Sequence, residues 1–320
     1  MADPRTPLVF LMGPTGSGKT AVALELAGTW RTTHDTSIEI VSVDSALVYR
    51  GLDIGTAKPS LAERARVPHW MLDLCDPAES YSAARYAEDA QSCLQTIEQR
   101  HARPLLVGGT MLYARALTTG FDDLPSANPE LRARLEAKAA VEGWPALHAD
   151  LTDRDPITAR RLSPNDSQRI QRALEVIYVT GKPLSQLQGR ATASRRPAVF
   201  VSLEPNNRTW LHERLAQRFD SMLAGGLLEE VRALKARSDL HPNLPAIRSV
   251  GYRQIWAYLA GECRFEEMRE RALAATRQLA KRQLTWLRAI EDRLVIACDA
   301  PDATARAVDA LRTLLGGSQH

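Results

Sequence analysis

The chain has 320 residues, 44% of them hydrophobic and 25% charged, with a formal net charge of +3. That content suffices for a full core and about two domains, and it excludes a disordered or low-complexity chain. The four cysteines form no C-x-x-C pair and the seven histidines share no ligand spacing with them, which excludes a zinc site and a disulfide framework. With no apolar leader core and no run of about 18 apolar residues, export and membrane insertion are not expected, and a reducing, cytoplasmic setting is.

The first element is a short apolar run at 7–12 (PLVFLM), of the buried-strand type. Gly13, Pro14, Thr15, Gly16, Ser17, Gly18, Lys19 and Thr20 follow, fitting G-x-x-x-x-G-K-[ST] at every defined position, and 21–27 then reads as helix. Glycines let the main chain wrap closely around an anion. Its amides and the helix N-terminus contribute partial positive charge, and Lys19 adds a full one. In this pattern Thr20 places a hydroxyl on Mg²⁺. The protein is therefore expected to hold a phosphate or diphosphate.

Further strand-like runs lie at 38–43, 104–107, 198–203 and 294–298, with helical patterns at 82–99 and 111–118. Alternating strands and helices predict an α/β fold, a parallel P-loop sheet covered by helices. The tract 121–195 differs. Opened by Asp122-Asp123 and Asn128-Pro129, it shows only helical periodicity, with breaks at Gly143, Asp155-Pro156, Ser163-Pro164 and Gly181. It is expected to be an all-helical domain inserted between two parts of the core, 1–120 and 196–315, with a disordered tail at 316–320.

ATP-hydrolysing enzymes commonly carry a second apolar strand ending in Asp, which helps to hold Mg²⁺. Here the run 104–107 ends in Gly108-Gly109-Thr110, whereas 38–43 ends in Asp44, followed by Ser45, Ala46 and Leu47. Strand C-termini face the ligand crevice of an open parallel sheet, so Asp44, Thr110 and the phosphate loop are expected to converge. Position alone leaves Asp44 open to catalysis, to a helix N-cap or to a magnesium contact through water. Basic charge gathers late in the chain: 248–288 holds nine Lys and Arg against four Glu. Over 271–290 a helix is predicted with Leu273, Ala280, Leu287 and Ile290 on an apolar face and Arg277, Lys281 and Arg288 on another. Such a stripe is either a solvated face or, with Trp286, Gln278 and Gln283 interleaved, a polyanion site.

GPTGSGKT, then the blocks at 42–59, 107–113, 164–176, 248–256 and 275–288, resemble the tRNA dimethylallyltransferases, the delta(2)-isopentenylpyrophosphate transferase family. The blocks stand in family order over nearly the whole chain. The resemblance implies transfer of a dimethylallyl group from dimethylallyl diphosphate to N6 of the adenine just 3′ of the anticodon. The phosphate loop then holds the donor diphosphate with Mg²⁺, and ATP is not a substrate. It implies Asp44 as general base, with Lys19, Thr20, Thr110 and Arg218 on the leaving diphosphate; for Arg218 a plain helix-surface role stays open. It further implies anticodon stem-loop contacts from Asp44, Ser45, Ala46 and Leu47, from Arg132, and from Gln168, Arg169, Ile170, Gln171 and Arg172. Later contacts are Arg248, Ser249, Val250, Gly251, Tyr252 and Arg253, then Lys281, Arg282, Gln283, Leu284, Thr285, Trp286, Leu287 and Arg288. Ala46 stands where many relatives have Gln, and the zinc-finger extension of some relatives is absent. A monomer is expected. The rival readings are a nucleotide or small-molecule kinase, a prenyltransferase acting on free adenine nucleotides, and an RNA-binding nucleotide switch.

Overall fold

The computed structural model describes residues 6–120, 124–188 and 196–316. Its backbone divides into two compact units, one of residues 1–118 with 196–320 and one of 119–195. The first unit begins with β1 (Leu8–Met12), α1 (Lys19–Trp30), β2 (Ile38–Val43), α2 (Leu61–Arg66), β3 (His69–Trp70), α3 (Ala83–Gln99), β4 (Arg103–Gly108) and α4 (Met111–Thr119). The second holds α5 (Pro129–Glu142), α6 (Trp144–Arg154), α7 (Pro156–Ala159), α8 (Ser167–Thr180) and α9 (Leu184–Leu187). The chain returns to the first through β5 (Ala198–Glu204), α10 (Arg208–Ala224), α11 (Leu227–Lys235), α12 (Tyr252–Leu259), α13 (Phe265–Arg288), β6 (Leu294–Ala297) and α14 (Ala303–Gly316).

The sheet has six strands in the order β3-β2-β4-β1-β5-β6, every pair parallel. Side chains alternate across it with period two. Leu8, Phe10, Met12, Val41 and Val43 enter the core shared with α3 and α11–α13, while Val9, Leu11, Ile38 and Ile40 pack toward α1 and α14. Burial on both faces explains why β1 is a continuous apolar run and why β2 is apolar apart from Glu39 and Ser42. At their C-terminal ends lie the phosphate loop, Asp44 and Gly108.

The second unit has its own core, with Leu147, Leu151, Ile170 and Leu174 inaccessible to solvent. Within it Glu175 is fully buried, held by Arg132 Nε (2.8 Å), Arg172 Nη1 (2.6 Å) and the Asn128 amide (2.8 Å). Burial alone would raise the Glu175 pKa; the hydrogen bonds from Arg132, Arg172 and Asn128 outweigh it, and the carboxyl titrates below its ordinary range.

Three boundaries differ from the sequence expectation. α1 starts at Lys19 instead of residue 21, because Gly18, with φ near 92°, turns the loop straight into the helix. α13 starts at Phe265, since no Pro or Gly interrupts the chain there and Glu266 and Glu267 suit a first turn, and it stops at Arg288. Gly316, expected in the tail, closes α14; residues 121–123 and 317–320 lie outside the described residues.

Candidate active site

The phosphate loop takes its shape from contacts within it and from two distant helices. Lys19 Nζ donates to the carbonyls of Gly13 (2.9 Å) and Pro14 (2.8 Å), and the Ser17 amide to Pro14 O (3.2 Å). From α10, Arg214 Nε donates to Gly16 O at 3.0 Å; from α13, Gln283 Oε1 accepts from the Thr15 amide at 2.9 Å. No side chain caps the first turn of α1, so its amides are left for an anion. Burial pushes the Lys19 ammonium down to about 8; Arg218 acts in the same direction and Asp44 against it. An ammonium so destabilised gains most when an anion arrives.

Asp44 follows β2 and is half-buried. Its Oδ1 accepts from the amides of Ala46 (2.8 Å) and Leu47 (3.4 Å), an Asx-type turn and not a helix cap, since no helix begins there. Among the described residues Oδ2 has no hydrogen-bond partner and is left for a ligand. Thr110 opens α4. Its Oγ1 accepts from the Ser45 amide at 3.1 Å, and the amides of Gly109 and Thr110 both donate to Val43 O. The end of β4 thus fixes the residues on either side of Asp44. The register also explains Gly108: it pairs with Val43, and a Cβ on it would stand 2.1 Å from Val43 O. No acid can occupy that strand end.

Two adjoining cavities of about 510 and 520 Å³ meet at a wall formed by Thr15, Asp44, Thr56, Gly109, Arg218 and Gln283. One contains Lys19, Thr20, Arg214, Gln217 and Ser221 beside the phosphate loop. The other is more apolar, with Met111, Leu215, Phe219, Met222, Leu227 and Trp286, and also holds Thr110 and 248–252. Three contributors here were not read from the sequence. Arg214 and the contact of Gln283 with the loop are two. The third is Glu230 of α11, whose carboxylate accepts from the amides of Asp53, Ile54 and Gly55 and from Tyr252 Oη. It ties the chain after β2 to the start of α12, where Gly55 lies so close to the Tyr252 ring that a Cβ would stand 2.5 Å from it.

The structure brings Asp44, Thr110, Arg218 and the phosphate loop together, with Ser45, Ala46, Arg248, Ser249, Val250, Gly251, Tyr252, Arg282, Gln283 and Trp286 around them. Leu47 lines the phosphate side. Lys281, Thr285 and Arg253 are exposed, as is Arg288, whose Nε lies 3.4 Å from Glu204; Leu284 is half-buried. Some residues expected at the RNA surface have buried side chains: Leu287 and Tyr252 in the first unit's core and Ile170 in the second's. Apolar side chains at helical spacing anchor their helices, so in these three the contact surface must come from neighbours. Gln168, Arg169, Gln171, Arg172 and Arg132 belong to the second unit. Arg132 and Arg172 spend donors on Glu175, and Gln171 Nε2 donates to Arg132 O and Glu136.

Among the described residues no group of three or more His, Cys, Asp or Glu side chains could hold a metal ion. Mg²⁺ binds through few protein ligands when phosphate oxygens complete its shell. The Thr20 hydroxyl and the phosphate cavity fit an ion that arrives with a diphosphate. None of the helices among the described residues is long and apolar enough to cross a membrane.

The model of the IPP transferase family matches residues 47–290. A Bordetella petrii protein named tRNA dimethylallyltransferase is 58% identical over 313 residues, covering 97% of this chain and 98% of the relative. One of the same name from Paracidovorax citrulli is 58% identical, covering 98% and 93%. Among solved structures, the tRNA isopentenylpyrophosphate transferase of Bacillus halodurans is similar with a TM-score of 0.69 at 32% identity, covering 98% of this chain and 97% of that one. A eukaryotic dimethylallyltransferase acting on tRNA is similar with a TM-score of 0.80 at 25% identity, covering 98% and 80%.

Proposed function

Because this chain belongs to the IPP transferase family, we propose that it transfers a dimethylallyl group from dimethylallyl diphosphate to N6 of the adenine immediately 3′ of the anticodon in tRNA. The observation that carries this reading is the shared wall. Asp44, with one oxygen left for a ligand, stands between a phosphate cradle and an apolar cavity whose volume suits a base taken out of its stack.

An allylic carbon parts from diphosphate with carbocation character, so catalysis requires charge neutralisation at the leaving group and exclusion of water. Lys19, Arg218 and the α1 amides supply the first. The Thr20 hydroxyl would hold Mg²⁺ that binds together with the diphosphate, and the ion would supply further positive charge to the leaving group. As the C1–O bond breaks, the N6 lone pair forms the new C–N bond, Asp44 takes the N6 proton, and diphosphate departs. Thr110 keeps the Asp44 turn in place through the Ser45 amide. The exposed cations of α13 suit phosphate contacts that orient the anticodon stem-loop without reading its sequence. A kinase is disfavoured by the end of β4, where Gly108 has no room for an acid. The proposal extends to a monomer acting in the cytoplasm, the setting expected from the sequence.

Incubation with dimethylallyl diphosphate, Mg²⁺ and unmodified tRNA, followed by nuclease digestion and mass analysis, tests the reading. A five-carbon addition to adenosine is expected, abolished when the adenine beside the anticodon is replaced. No addition, with ATP-dependent phosphorylation of a small acceptor instead, would overturn it.

A further inference from the structure

Gln283 lies within the block whose resemblance implies RNA contact, yet its side chain points elsewhere. On α13, successive residues advance by about 100°. Ala280 and Leu287 are buried and mark the core-facing direction. Arg277, Lys281 and Arg288 fall to one side of that ridge, all exposed. Thr276, Leu279, Gln283 and Trp286 fall to the other, and all four line the more apolar cavity. Gln283 therefore belongs to the cavity stripe and not to the cationic one.

Both ends of its amide are used. Oε1 accepts from the Thr15 amide at 2.9 Å and Nε2 donates to Gly109 O at 3.1 Å, so only one orientation of the group satisfies both. Gly109 is close enough that a Cβ on it would stand 2.3 Å from Nε2. The residues joined are the donor loop, through Thr15, and the segment that fixes Asp44, since the Gly109 and Thr110 amides donate to Val43 O and Thr110 holds Ser45.

We propose that Gln283 is a positioning residue for the transfer reaction, a strut that holds the diphosphate cradle at a fixed distance from Asp44, and that it takes no part in the phosphate contacts of the cationic stripe. The inference rests on the proposed activity. Its loss leaves the cationic stripe untouched while the loop and the base lose their common support. A Glu there still accepts from Thr15 but cannot donate to Gly109 O, and it sets negative charge beside the diphosphate.

The test compares wild type, Gln283→Ala, Gln283→Glu and Lys281→Ala for three quantities: the Kd of inorganic diphosphate with Mg²⁺, the Kd of an anticodon stem-loop, and the single-turnover transfer rate. Gln283→Ala is expected to weaken diphosphate about tenfold, the loss of roughly one hydrogen bond. It should slow transfer by about a hundredfold, as misplaced reacting groups do, and leave the stem-loop Kd within about twofold. Gln283→Glu should weaken diphosphate further, and Lys281→Ala should weaken only the stem-loop. Gly109→Ala, whose Cβ would stand 2.3 Å from Gln283 Nε2 and 3.1 Å from Gly13 O, displaces the strut from the opposite side with Gln283 itself retained and should reproduce Gln283→Ala; thermal melts identify any variant that has lost its fold. Stem-loop affinity lost in Gln283→Ala, or diphosphate affinity unchanged in both Gln283→Ala and Gly109→Ala, overturns the inference. If wild type itself transfers no dimethylallyl group, the proposed activity fails instead.

Discussion

Raising the pH is a perturbation that isolates Lys19. With burial holding its pKa at about 8 in the free protein, bringing a diphosphate beside the ammonium favours the charged form and raises that value. The sign follows by linkage. Below pH 8 the lysine is already protonated and affinity is insensitive to it; above pH 8 binding must take up a proton, and affinity falls about tenfold per unit until the bound-state pKa is reached. The free lysine is roughly 76% protonated at pH 7.5 and roughly 3% at pH 9.5, so the Kd of inorganic diphosphate with Mg²⁺ should rise about 25-fold between them, close to 2 kcal/mol. Titration calorimetry in buffers of different ionisation enthalpy measures both the affinity and the proton uptake. Lys19→Arg, charged throughout, should bind more weakly at pH 7.5 but with a nearly flat profile. A flat wild-type profile to pH 9.5, or an equal fall in Lys19→Arg, would refute the reasoning.

Asp44→Asn should keep diphosphate and stem-loop affinity while single-turnover transfer falls by about 10² to 10⁴, the range for losing a general base; an unchanged rate in rapid quench would remove Asp44 from the chemistry. Lys281→Ala should reduce the slope of log Kd against log salt by about one phosphate contact, with fluorescence anisotropy as the assay. Glu175→Gln should destabilise the second unit by roughly 2–3 kcal/mol, below the usual 3–5 for a broken buried pair because both arginines keep some exposure to water. The Glu175 carboxyl titrates below its ordinary value, so its contribution is present above about pH 4.5 and disappears as pH falls through the lowered pKa. Scanning calorimetry should therefore show wild type and Glu175→Gln converging in acid.

The five longer strands were legible because each carries a short run dominated by apolar residues, which the inner strands need because both of their faces are covered, even though the edge strand β6 leaves Leu294 and Val295 partly exposed. β3 was not, since two residues, His69 and Trp70, carry no period. The phosphate loop was legible because its chemistry needs residues at fixed local spacing. Arg214, Glu230 and the Gln283 contact were not, because they meet their partners across 198, 175 to 177 and 268 positions in the chain. For Gln283 a usable signal did exist. It falls between Ala280 and Leu287 on the flank opposite the cations, and assigning each residue of the helix its own direction separates it from Lys281.

The exchange of acid positions between strands ties the fold to the chemistry. In a sheet ordered β3-β2-β4-β1-β5-β6, β4 lies beside β1 and the phosphate loop, and an acid ending it would favour a nucleotide's magnesium. Here that end is Gly108, packed against Val43 O so closely that even a methyl group is excluded. Among the described residues lining the two cavities the one carboxylate comes after β2, one strand further out, where Asp44 stands on the boundary between the phosphate cavity and the apolar one. On the proposed reading a metal held at Thr20 would depend on the diphosphate for most of its ligands, which would leave the carboxylate to meet whatever enters from the apolar side. On the proposed reading, an acid placed one strand further out leaves the phosphate loop to hold its anion as a leaving group instead of a group to be transferred.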